Sequence, residues 1–166
     1  MFVRKPISKE SVTSALAKAE RYRLLNEPSE AESICRDILE IDANNQQALI
    51  HLVLALTDQL GAHPRAFADA VQTAGQLATE YDRAYYEGIA WERRAKAHFH
   101  SGSPGVHHTT YEWIVRALDK FEEAERVRPH GNDDSILRWN TCVRFLDKHK
   151  DLVPLPAEEH TPIISE

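Results

Sequence analysis

One spacing recurs four times along this chain, as Ala15-x-x-Lys18-Ala19-x-x-Tyr22, Leu49-x-x-Leu52-Val53-x-x-Leu56, Trp91-x-x-Arg94-Ala95-x-x-His98 and Trp139-x-x-Cys142-Val143-x-x-Leu146. Steps of three and four residues put every member on one stripe of an α-helix. A single such stripe must be covered by another element. A stripe that returns with the same spacing is covered by its own neighbours, so the pattern predicts hairpins stacked in series.

A second pattern follows two of the four, Ala31-x3-Cys35-x2-Ile38-x4-Ala43 and Ala117-x3-Phe121-x2-Ala124-x4-Pro129, each closing a helix before the turns "DANN" and "RPHGND". Alanines on both helices let two backbones approach closely, and the larger residue one turn later fills the space between successive pairs. Glycine and proline are sparse and no run alternates apolar with polar residues, so the class is all-α.

At these residues the chain resembles the tetratricopeptide repeat (TPR) family, whose unit of about 34 residues carries a W-x2-LG-x2-Y…A-x3-F…P pattern. Residues 12–45 match through Ala19, Tyr22 and Ala31, with Ala43 in place of the proline. Residues 88–131 match through Trp91, Ala95, Ala117, Phe121, Ala124 and Pro129. The copy between them is weaker, because "PRAFADAVQTAGQLATEYD" offers Ala66, Ala70 and Ala74 without one clear register. No second helix follows the stripe at Trp139, which suits a terminal cap. The resemblance implies a TPR-like α-solenoid of about three helix-turn-helix repeats plus a C-terminal capping helix, seven helices in all.

Boundaries follow from local chemistry. Ser29-x-x-Glu32 and Thr109-x-x-Glu112 read as capping boxes, the latter starting the sixth helix near Thr110. Pro64 suits the first turn of the fourth helix, and Gly61 and Gly102 suit left-handed positions after helix ends. The expected organisation is an N-terminal extension over residues 1–8, a repeat domain over 9–150, and a flexible tail over 151–166, where three prolines interrupt any stripe.

A formal charge of −6 argues against non-specific nucleic-acid binding, which depends on cations that displace counterions. The most apolar stretch, "ALIHLVLAL", is too short to span a bilayer, and Arg4 and Lys5 precede no apolar run of the kind a secretory signal has. Cys35 and Cys142 lie far apart in apolar surroundings and read as buried free thiols of a reducing compartment. These features predict a soluble cytoplasmic protein.

No phosphate-binding loop, HExxH or GxSxG is present, so the expectation is a non-enzymatic protein without cofactor. The segment "HFHSGSPGVHH", residues 98–108, is the one metal-binding alternative. His98 and His100 point to different sides of a helix, and no cysteine accompanies His100, His107 and His108, so the segment reads as an insertion of about ten residues in a hairpin turn. Trp91 and Trp139 read as packing residues; if Trp91 is buried, its replacement by alanine costs roughly 3 to 5 kcal/mol.

In a stack of this kind the first helix of each repeat lines the inner surface. Stepping off the stripe gives Thr13, Leu16, Glu20 and Arg23, then Gln47, Ile50, His51, Leu54 and Asp58, then Ile89, Glu92, Arg93, Lys96 and Phe99, and in the cap Leu137, Asn140, Arg144 and Lys148. The apolar middle at Leu16, Ile50, Leu54 and Ile89 grades into cations at Arg93, Lys96, Arg144 and Lys148 beside Asn140. Such a groove fits a protein or peptide partner with acidic groups. The plainer alternative pairs these cations with Glu92 and Asp147 on a solvated face. Where some TPR proteins clamp a chaperone's C-terminal carboxylate, this chain has Leu16, Glu20, His51, Ile89 and Arg93, of which only Arg93 fits, so no chaperone adaptor is expected. A homodimer formed through the capping helix or the second repeat is the remaining alternative.

Overall fold

The computed structural model describes residues 2–155. Among them it has seven α-helices and no strand: α1 Val12–Leu24, α2 Pro28–Ile41, α3 Gln46–Thr57, α4 Ala66–Ala74, α5 Glu80–Ser101, α6 Val106–Arg126 and α7 Asp134–Lys148. No helix among these residues is long and apolar enough to cross a membrane.

Several helix ends follow from single side chains. The Asn45 side chain accepts from the Ala48 amide at 3.0 Å and starts α3, and Thr79 accepts from Asp82 at 2.9 Å and starts α5. Pro28 opens α2, where its missing N–H costs nothing, and Asn26 turns the chain before it at φ +61°. Gly102 ends α5 at φ +65°, a conformation that side-chain-bearing residues rarely adopt.

Other boundaries differ from those expected. α2 begins before Ser29, whose side chain caps nothing, and α4 begins two residues after Pro64. α6 begins at Val106, so Thr109 and Glu112 lie inside it and Thr110 is buried. Gly61 is not left-handed. The third hairpin carries its extra length in its helices, 22 residues in α5 and 21 in α6, and its turn is short. α5 starts at Glu80 because Thr79 caps it there, which takes the end of "LATEYD" away from the fourth helix. Residues 156–166 of the expected tail lie outside the described residues. Its first residues turn back onto the helices: Leu152 is buried, and His107 and His108 near the start of α6 meet Asp151 at 3.1 Å and the Val153 carbonyl at 2.9 Å.

Each helix packs on the next in sequence, and the odd-numbered helices also touch in succession, α1 on α3, α3 on α5 and α5 on α7. The core has two main parts. Ala19, Ala31, Cys35, Leu52, Val53, Leu56, Ala70, Ala74 and Ala90 form one; Ile89, Ala95, Ile114, Ala117, Phe121 and Cys142 form the other. The central stripe position is fully buried at Ala19, Val53 and Ala95, but Val143 is 37 % exposed. No helix follows α7 among the described residues to cover it. Trp91 and Trp139 are half-buried, packing against the second cluster from its edge, so removing Trp91 costs less than a fully buried tryptophan would.

Candidate functional site

The face shared by the odd helices is crossed by a line of charged groups. Arg23 of α1 donates from Nε to Asp58 Oδ2 at 2.9 Å, and Arg93 of α5 donates to Asp58 Oδ1 at 2.5 Å. Arg93 also donates to Thr57 Oγ1 at 2.8 Å and to the Leu54 carbonyl at 3.3 Å. Burial pushes the Arg93 guanidinium below its ordinary value, and Asp58 pulls it back up. The Arg93 side chain is therefore committed to joining α3 to α5.

Further along the face, Glu92 is 1 % exposed and is met by Lys96 Nζ at 2.5 Å and Arg138 Nη1 of α7 at 3.4 Å. Burial opposes the charge on Arg138, but Glu92 and Tyr85 more than restore it, and its pKa lies above the ordinary value. A buried carboxyl needs such partners, since an uncompensated charge there is costly. Lys96 also stands over the Phe145 ring at 5.6 Å. Arg93 and Lys96 thus belong to the joints between helices.

The apolar candidates divide. Leu16, Ile50 and Leu54 are half-buried and contribute surface, whereas Ile89 is 2 % exposed and belongs to the core. On α7, Arg138 and Phe145 face α5, where they meet Glu92 and Phe99. Leu137, Thr141, Arg144 and Lys148 follow one another at helical spacing on the adjoining stripe, all exposed, with Leu137 at 61 %. Neither Arg144 nor Lys148 has an ion-pair or side-chain hydrogen-bond partner among the described residues, and Asp147 pairs with Lys150 at 2.8 Å. Asn140 is half-buried beside this stripe. Thr141 was not among the sequence candidates, although its spacing from Leu137 and Arg144 places it between them.

The histidines of residues 98–108 disperse. His98 packs against Trp113 with ring centroids 5.0 Å apart, His100 Nδ1 lies 2.6 Å from the Lys96 carbonyl, and His107 and His108 hold the returning chain. Among the described residues no three His, Cys, Asp or Glu side chains converge as metal ligands. Cys35 and Cys142 are buried free thiols, each pushed up to about 12 by burial. The chain matches no protein-family model, no curated protein and no solved structure.

Proposed function

We propose that this chain is a non-enzymatic interaction module, a TPR-like stack whose odd helices present a face to a peptide segment carrying acidic and apolar side chains. The observation that carries the reading is the exposed α7 stripe, where Arg144 and Lys148 have no partner among the described residues while Arg23, Arg93, Lys96 and Arg138 are paired. Leu16, Ile50 and Leu54 extend that face with apolar surface, and the serial contacts of α1, α3, α5 and α7 support its continuity. The reading includes no cofactor and no nucleic acid; a cytoplasmic setting is supported by two unpaired buried thiols.

Amide-resolved NMR titration with a short peptide alternating leucine and glutamate tests this reading. Shifts concentrated on α7 and the exposed positions of α1 and α3 support it, and shifts absent from α7 refute it. A second reading, self-association through α7, is favoured by exposed Leu137 and Val143. Light scattering on the eluting protein separates the two, since only the second requires a dimer.

A further inference from the structure

Arg94 occupies the stripe position that is exposed Lys18 in the first copy and buried Leu52 and Cys142 in the second and last. Its guanidinium carbon lies 4.0 Å from the centroid of Phe67 on α4 and 4.0 Å from the centroid of Trp113 on α6. Trp91 packs edge-on against Phe67 at 4.6 Å and His98 against Trp113 at 5.0 Å, so the two rings are themselves held in place. Stacking of this kind satisfies the faces of the guanidinium and leaves its N–H edge to find acceptors.

The described residues supply no acceptor. Arg93, Arg138 and Arg23 each meet a carboxylate, whereas Arg94 has neither an ion pair nor a hydrogen bond among the described residues. Burial depresses its pKa with no anion to offset the effect. The side chain borders a cleft of about 290 Å³ between the turn after α3 and helices α5 and α6, lined also by Leu60, His63, Pro64, His98 and Ser101. The His63 and His98 rings have no hydrogen-bond partners among the described residues, so the cleft gathers several donors and no carboxylate. A planar fork held by its faces at the wall of a cleft matches an oxyanion in bidentate geometry.

We propose that this cleft binds the oxyanion head, carboxylate or phosphate, of a small molecule whose apolar body rests on Leu60 and Pro64. Arg94 supplies the fork, His63 and His98 supply further N–H donors, and Phe67 and Trp113 keep the fork in plane. The site uses α4, α5 and α6 and is independent of the α7 stripe.

The test is a titration of the full chain, observed at the Arg94 Nε–H and Trp113 indole N–H resonances, with phenyl phosphate, phenylacetate and, as a neutral control, benzyl alcohol. Saturable shifts with one of the anions, at a Kd of about 1 mM or tighter, and none with the alcohol are expected. The anion that binds identifies the head group. Arg94→Met, which keeps an apolar chain between the rings, should weaken binding about tenfold or more. His63→Ala, at an exposed position, should weaken it by a smaller factor and decides the matter if Arg94→Met fails to fold. No saturation with either anion, equal binding of the alcohol, or wild-type affinity in His63→Ala or in folded Arg94→Met would overturn the proposal.

Discussion

Asp58, just past the end of α3, receives Arg93 from α5 at 2.5 Å while receiving Arg23 from α1 on its other oxygen. One carboxylate therefore ties three odd helices together. Asp58→Ala leaves two partly desolvated guanidinium groups without their counter-charge and is expected to lower stability by about 1–3 kcal/mol. Urea denaturation measures this, and the difference from wild type should narrow in concentrated salt.

Gly88 faces Phe121 across the α5–α6 interface, and a Cβ added there would lie 2.7 Å from the ring. Helix propensity alone predicts that Gly88→Ala gains about 1 kcal/mol. Overpacking costs about 1–3 kcal/mol, so the expected outcome is a lower melting temperature. A rise would mean that α5 and α6 separate more readily than their packing implies.

Phe121 is 1 % exposed and Trp91 half-buried. Phe121→Ala is expected to cost about 3–5 kcal/mol, and Trp91→Ala less despite the larger ring. Thermal unfolding of the two variants gives the order, and the reverse order would place Trp91 deeper than the fold has it.

These two residues show what was legible in advance. The period-3.6 stripes were enough for six of the seven helices, with Ala19, Val53, Ala95, Ala31, Ala117 and Phe121 buried at the positions the spacing selects, while α4 shows no single register in the sequence. The stripe says which face is covered but not how completely, so it does not give the depth at which Trp91 lies. Thr79 and Asp82 carry the capping signal that starts α5, but the alanine run before them favours a longer fourth helix in the sequence. On the site, the position of Arg93 on the odd-helix face was legible, but its partner Asp58 lies 35 residues away and meets it only through the packing of α3 on α5. The same limit hid Arg94, whose flanking rings come from two other helices.

Burial holds both cysteine thiols in their protonated form, with pKa values pushed up to about 12. Between the unfolded thiol value of about 9 and that raised value, the folded chain binds more protons than the unfolded one, so stability falls as pH climbs through this window. Below it the contribution is fully present. Denaturation midpoints between pH 8 and 11, compared with those of a Cys35→Ala, Cys142→Ala variant, isolate the thiols. At neutral pH a thiol reagent should react only at the rate of unfolding.

Charge reversal on the α7 stripe leaves the joints between helices intact. Arg93→Glu is unsuitable for this purpose, because it would set a carboxylate against Asp58. The decisive measurement is fluorescence anisotropy of a labelled peptide alternating leucine with glutamate, beside its glutamine counterpart, titrated with wild type and with Arg144→Glu, Lys148→Glu. The account predicts saturable binding of the glutamate peptide to wild type, weaker binding of the glutamine peptide, and loss of binding in the variant at an unchanged melting temperature. No binding of the glutamate peptide to wild type, or equal binding by the variant, would contradict it.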